Sequence, residues 1–385
     1  MLNSYFERID KENTFSKTSE RVKEYRDSHP GADIISLGIG DVSFPVIPPV
    51  IEAMHKAVDD LSKKESFSGY GNYYGIPSLR KAILDNEYLS FGFTAEEIYV
   101  SDGAKSDAAN LLELFSRDSR ILMGDPTYPI YFNSACALER DVFFTPLDEN
   151  DVMVIPEEHY DIIYICSPSN PTGNAYSRED LERWVDYALR EKAVILYDNV
   201  YSSFIRSDRP RSIYEIEGAK NCAIEMRSFS KKASFTGVRC SYYVLPKEID
   251  PKGYWKERTI NRFNGASCVA QKGAEASYLE ESRRLIKENI EAYHRNTDYL
   301  KESFLSLGYE VHGGEDSPFL WVRCKDSMSS QETFEHFLKD LDIIVVPGII
   351  FGKRGDGFFR VSGLGTIENS HRAIARIREF HEKNA

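Results

Sequence analysis

The sequence predicts an α/β protein whose larger part is a mostly parallel sheet covered by helices and whose smaller part is α+β. Three observations lead there. Continuous apolar strands alternate with amphipathic helices from about residue 78 to residue 245. The texture then changes after residue 268 to long helical runs with little strand signal. Finally, 385 residues exceed what one small core requires, which favours a large and a small lobe. Strands that are apolar throughout, rather than alternating, belong in sheets buried on both faces.

The elements follow in order. Residues 78–91 (SLRKAILDNEYLSF) place Leu79, Ala82, Ile83 and Tyr88 at helical spacing, and 98–101 is a short strand. Asp102-Gly103-Ala104-Lys105 then turns into the helical SDAANLLELF, making a βα unit. Further strands are predicted at 121–123, 162–166, 194–197, 223–228 and 241–245. Ser177 and Asp180 form a capping box ahead of a helix whose stripe is Leu181, Trp184, Val185, Ala188 and Leu189. Beyond residue 268 one or two long helices precede YEVHGG, FLWVRCK, the helix QETFEHFLKDL, IIVVPG, FFRVSG and a last helix SHRAIARIREFHEK. The first 45 residues have no place in the βα series and are expected to pack with this C-terminal lobe. The predicted division is 46–281 for the large domain and 1–45 with 282–385 for the small one.

Composition removes several function classes. A net charge of −13 with scattered basic residues disfavours nucleic acid. The six cysteines (Cys136, Cys166, Cys222, Cys240, Cys268, Cys324) are dispersed and form no CxxC pair, which suits a reducing cytoplasm. The N-terminus lacks an apolar signal region, and no apolar run approaches the ~20 residues that span a bilayer, so no membrane partner is expected. In 347–357, PGIIFGKRGDG has GxxxGK without a following Ser or Thr, GxGxxG is absent, and the eight histidines show no paired metal spacing. No metal site and no nucleotide chemistry are predicted.

Four stretches carry chemistry. Asp102-Gly103-Ala104-Lys105 is a strand-to-helix turn with free amides that suit an anion. Ser167-Pro168-Ser169-Asn170-Pro171-Thr172-Gly173 sets one Asn between two prolines after a strand, in a composition that an ordinary loop also uses. Asp198 ends the strand VILYD, where it could cap a helix or face a site at the carboxyl edge of the sheet. The fourth, SFSKKASFTGVRC at 228–240, puts Lys231 and Lys232 between two strands.

Taken in order, Asn170, Asp198, Tyr201, Lys231 and Arg239 resemble the class I and II aminotransferases, the pyridoxal-phosphate-dependent enzymes of fold type I. The likeness runs from LGIGD at 37–41 to FFRVS at 358–362. It implies a large domain with a mixed, mostly parallel seven-stranded sheet, and pyridoxal 5'-phosphate as cofactor. It also implies that Lys231 bonds to the cofactor aldehyde and, once released as an amine, carries the proton; such an amine must be partly neutral. By the same likeness Asp198 pairs with the pyridinium nitrogen, and Asn170 and Tyr201 bond the ring hydroxylate. Tyr128 stacks on the ring, while Ser228, Ser230, Arg239 and the amides of Ala104 and Lys105 hold the phosphate. Lys232 falls outside the motif and is expected to be a solvated or structural cation. Arg360, with Gly40 and Asn170, is implied for the substrate, the arginine gripping the α-carboxylate in a fork. Tyr70 matches a tyrosine that reaches the phosphate of a neighbouring subunit, which implies a homodimer with shared sites.

Within the family, SDGAKSD, DPTYPIY, PRSIYEIEGAK (210–220) and RFNG (262–265) are most similar to the LL-diaminopimelate branch, whose substrates are an amino acid and a 2-oxo acid such as 2-oxoglutarate. Two positions depart from it. Tyr73 in GYGNYYG stands where that branch has a glutamate for the substrate's distal ammonium, and Asp198-Asn199-Val200-Tyr201-Ser202 lacks a second carboxylate; Asn264, the other distal contact, is retained. The sequence therefore implies an aminotransferase with altered distal-end specificity. Transfer from LL-diaminopimelate itself and a pyridoxal-phosphate lyase on the same scaffold are the alternatives, and a regulator would need an added DNA-binding domain for which the length leaves no room.

Overall fold

The computed structural model describes residues 3–8, 14–38 and 40–384; Ile39, within LGIGD, lies outside them. Strand β1 (Ile35–Ser36) belongs to the C-terminal part of the chain, described below. Seven strands form the main sheet: β2 (Ile98–Ser101), β3 (Ile121–Asp125), β4 (Val142–Pro146), β5 (Ile162–Cys166), β6 (Val194–Asp198), β7 (Ala223–Ser228) and β8 (Ser241–Val244). Their order is β2-β8-β7-β6-β5-β3-β4. Strand β8 runs antiparallel to both neighbours, and the other pairings are parallel. Ile162, Ile163, Ile195, Leu196 and Ile224 are fully buried in the centre of this sheet, as expected of a sheet covered by helices on both faces.

The sequence reading does not include β4. This edge strand has only three apolar residues between Asp141 and Thr145, and Phe144 is 48 % exposed, so no continuous buried run marks it.

The remaining strands are β9 (Val311–Gly313), β10 (Phe319–Arg323), β11 (Ile343–Ile344), β12 (Val346–Pro347) and β13 (Phe358–Ser362). Four of them form an antiparallel sheet in the order β12-β13-β10-β9, while β11 pairs in parallel with β1. The helix Phe15–Ser28, capped by Thr14, is tied to the same region, because Arg21 forks onto Glu335 and Tyr25 donates to Asp342 at 2.9 Å. Residues 3–8 go elsewhere: Asn3 donates to the Ala137 carbonyl and Arg8 to the Arg140 carbonyl, each at 3.0 Å, beside the helix Ile130–Ala137.

One helix departs from its predicted form. Residues 78–91 begin as the α-helix Pro77–Ile83, widen into a π-turn at Leu84–Tyr88 and finish as a 3₁₀ turn. A π-turn inserts one residue per turn, and here both Glu87 and Tyr88 reach the sheet. Glu87 accepts from Arg227 at 2.6 Å and Lys232 at 2.8 Å, and from the hydroxyls of Tyr242 and Tyr278. Tyr88 donates to Glu225, which also holds Arg227. Burial alone would raise the Glu87 carboxyl, but Lys232 and Arg227 outweigh it and hold it well below the ordinary carboxylate range.

Glu87→Ala removes one partner from two nearly buried cations, a change that costs about 3–5 kcal/mol. We predict a fall of that size in urea unfolding free energy at unchanged slope. A loss below ~1 kcal/mol would show that water replaces the carboxylate.

Candidate active site

The parallel register brings three strand ends together. Cys166 at the end of β5 pairs with Asp198 at the end of β6, and Asp198 pairs with Met226 in β7. Beyond these carboxyl ends, where open α/β sheets place their ligand sites, lies a cleft of about 750 Å³. Gly40, Ala104, Lys105, Tyr128, Asn170, Asp198, Tyr201, Ser228, Ser230, Lys231, Arg239 and Arg360 all line it. Tyr70, Tyr73 and Asn264 do not: Tyr70 is 87 % exposed, Asn264 is exposed and Tyr73 half-buried. Gly265, at a positive φ, packs against the backbone of Asn72 and Tyr73, which joins these positions into one surface outside the cleft.

Lys231 follows β7 on the short helix Phe229–Lys232, whose cap is Ser228. Its amine donates to the Gly40 carbonyl. Burial lowers it to about 8, with Arg360 and Arg239 adding to the fall and Asp41 opposing it. About a tenth of the amine is thus neutral at pH 7, far more than for an ordinary lysine. Lys232 is different: its ammonium is bound to Glu87 and lies 4.4 Å from the Tyr278 ring centre. It is a structural cation.

Asp198 is 6 % exposed and accepts from the Tyr131 hydroxyl at 2.6 Å and from the Val200 amide. Burial raises it to about 6, opposed by the Tyr131 bond, so the ionised form predominates at neutral pH. A buried carboxylate of this kind stabilises a cationic nitrogen brought against it.

Arg360 sits on β13, 3 % exposed, with its guanidinium 4.4 Å from the Phe319 ring centre and 5.1 Å from that of Phe351. It donates to Asn170 Oδ1 at 2.6 Å and to the Gly38 carbonyl at 3.1 Å, while its buried Nε has no protein acceptor. Burial lowers the group to about 10, still cationic at neutral pH. Because Arg360 also lines the cleft, its guanidinium fits a carboxylate arriving there.

At the other end, Ser228 Oγ accepts the Ser230 amide at 3.0 Å, and Arg239 donates to Ser230 Oγ at 3.3 Å and to the Thr236 carbonyl at 3.1 Å. Arg239 itself is at φ 67°, and its guanidinium packs on Gly103, whose φ of 154° is a backbone conformation that favours glycine. Hydroxyls, a guanidinium and the amides of the 103–105 turn thus surround a space suited to a phosphate-sized anion.

Several participants have no place in the sequence reading. Tyr131 lies three residues after Tyr128, within the quoted DPTYPIY, on the helix Ile130–Ala137 that opens just past it, and the two rings meet edge to face at 5.6 Å. Gly40, implied in that reading only for the substrate, also accepts from the Lys231 amine. Phe15, Val22, Lys23 and Arg26 of the helix Phe15–Ser28 also wall the cleft.

The Lys231 amine should therefore react with a small aldehyde, trapped by borohydride, at a rate that rises with pH and levels off above about 8. Peptide mapping by mass spectrometry reads this, and a midpoint near the ordinary lysine value would mean an exposed amine.

Comparison with known proteins agrees with the geometry. The chain is 40 % identical to an LL-diaminopimelate aminotransferase of Agathobacter rectalis, over 98 % of this chain and 99 % of that one. It is also 40 % identical to one of Phocaeicola vulgatus, over 99 % of each. Among solved structures, L,L-diaminopimelate aminotransferase from Chlamydomonas reinhardtii superposes with a TM-score of 0.93 at 33 % identity, covering 98 % of both chains. Residues 32–377 match the family model for aminotransferase class I and II, and with the seven-stranded sheet and the cleft at its carboxyl edge this places the chain in the class I and II aminotransferases.

Proposed function

We propose that the cleft binds pyridoxal phosphate at Lys231 and moves an amino group from an amino acid to a 2-oxo acid such as 2-oxoglutarate. The observation that carries this is a lysine whose amine burial makes easier to deprotonate, sharing one cleft with a buried carboxylate, Asp198, and a buried arginine, Arg360. Bound there, pyridoxal phosphate supplies the sink for the electron pair left when the substrate Cα loses its proton. Asp198 holds a proton on the ring nitrogen, and Asn170 and Tyr201 donate to the ring oxygen. Tyr128 stacks on the ring, and Ser228, Ser230, Arg239 and the amides of Ala104 and Lys105 hold the phosphate. Arg360 orients the substrate by its α-carboxylate, aided by Asn170 and Gly40. Lys231 then moves the proton between Cα and the cofactor C4′.

The chain acts as a cytoplasmic homodimer in which each copy completes the other's site. The 87 % exposure of Tyr70, on the same surface as Tyr73 and Asn264, supports this reading. Residues 46–281 form the large domain, against which 3–8 lie, and 14–38, 40–45 and 282–384 form the small one, so that the substrate lies between the two.

Distal specificity departs from that of LL-diaminopimelate transfer. Tyr73 offers a phenol where a glutamate would meet a second ammonium, and an –NH3+ left without its acceptor costs about 2 kcal/mol or more. The 40 % identity to enzymes of that name favours LL-diaminopimelate as the second reading.

Three measurements test these statements. Lys231→Ala should lose the visible absorbance of the bound cofactor while Lys232→Ala keeps it; the reverse would overturn the assignment. In a panel of amino donors, scored by spectral transfer of the amino group to the cofactor, donors without a distal ammonium should outrun LL-diaminopimelate. Equal rates would sink the inference from Tyr73, and release of product without transfer would indicate a lyase. Mixed dimers of Lys231→Ala and Tyr70→Ala should regain activity that neither variant has alone, whereas inactive hybrids would argue for self-contained sites.

A further inference from the structure

Asp107 lies on the helix Ala104–Asn110, is 2 % exposed, and has no part in the chemistry above. Its Oδ2 accepts from Ser101 Oγ at 2.6 Å and from Ser241 Oγ at 2.8 Å, and the two hydroxyls are 2.5 Å apart. Ser101 and Ser241 are register partners, one closing β2 and the other opening β8. Just beyond Ser101 comes Gly103, just before Ser241 comes Arg239, and the Arg239 guanidinium packs directly on Gly103. One buried carboxyl therefore ties together the two strand ends from which the anion-binding turn and the arginine project. Burial raises Asp107 to about 7, against the pull of Ser101 and Ser241 and with Asp102 and Asp198 adding to the rise. Cys240, just before β8, and Tyr243, on it, also feel its charge.

We infer that Asp107 is a positioning residue for cofactor capture: by pinning Ser101 to Ser241 it sets the spacing between the 103–105 turn and Arg239, and with it the affinity for the cofactor's phosphate. This rests on the proposed pyridoxal-phosphate site. The phosphate meets groups whose separation is already fixed, so little binding energy goes into arranging them. An amide at 107 accepts the same two hydroxyl bonds, whereas a methyl leaves both serines to find other partners.

The test is a spectroscopic titration of apoprotein with pyridoxal phosphate and with pyridoxal, which lacks the phosphate. Asp107→Ala should weaken pyridoxal phosphate about tenfold, the scale of one lost buried hydrogen-bonding group, and leave pyridoxal unchanged. Asp107→Asn should stay within about threefold of the parent, the part of that loss a retained acceptor avoids. Affinity in the alanine variant within about twofold of the parent, an equal loss in both variants, or an equal loss for pyridoxal overturns the inference. Should the alanine variant not fold, Ser241→Ala with native circular dichroism serves instead, and an unchanged affinity there is equally fatal. A parent protein that binds no pyridoxal phosphate would instead overturn the cofactor reading itself.

Discussion

The return of β8 beside β7 is the constraint on which the site depends. In a sheet otherwise parallel throughout, Ser228 at the end of β7 is paired with Ser241 at the start of β8. Residues 229–240 are thereby closed into a loop anchored at both ends by ladder hydrogen bonds, at the edge where β5 and β6 also end. A closed loop of this kind has little freedom left to lose, so the lysine and the arginine it carries stand in fixed relation to Asp198. Gly103 and Arg239 meet because β2 pairs with the far side of β8.

Two adjacent lysines in that loop have opposite electrostatic fates. Lys231 faces the cleft, where burial outweighs its one nearby anion, Asp41, and Arg360 and Arg239 push further toward the neutral amine. Lys232 faces the π-turn, where Glu87 pairs with it directly. Because successive residues of a short helix point to different sides, neither can take the other's place. The ion-pair cluster around Glu87 and Arg227 thus balances a charge that would otherwise sit beside the reactive amine. Buried pairs of this kind bring specificity more dependably than stability.

What was legible in the sequence was whatever depends on neighbours along the chain. VILYD announces both β6 and its terminal carboxylate, and the Ser177–Asp180 box opens its helix as expected, with both reciprocal bonds present. The cleft-lining set from Gly40 to Arg360 was readable because the order and spacing of those residues resemble a known family. Features that depend on distant register were not readable. Glu87 meets Lys232 only because a π-turn rotates it inward, and β4 has a short apolar run at the sheet edge that is only partly buried. Tyr131 and Asp107 look like ordinary helix residues until the sheet brings Asp198 and Ser241 beside them. Tyr70, Tyr73 and Asn264 lie outside the cleft, and only the family resemblance marked them.

The pairing of β1 with β11 has a consequence for synthesis. Ile35 and Ser36 bond to Ile343 and Ile344, and just past them Gly40 accepts from Lys231 while Gly38 accepts from Arg360. A chain growing on the ribosome can complete its seven-stranded sheet once β8 has emerged, yet its earliest strand must wait for nearly the last. Until then neither the Gly40 carbonyl nor the Gly38 carbonyl is fixed where the lysine and the arginine meet them. A truncated or stalled product can therefore own a folded sheet and still lack Arg360 and the strands that wall the other side of the cleft.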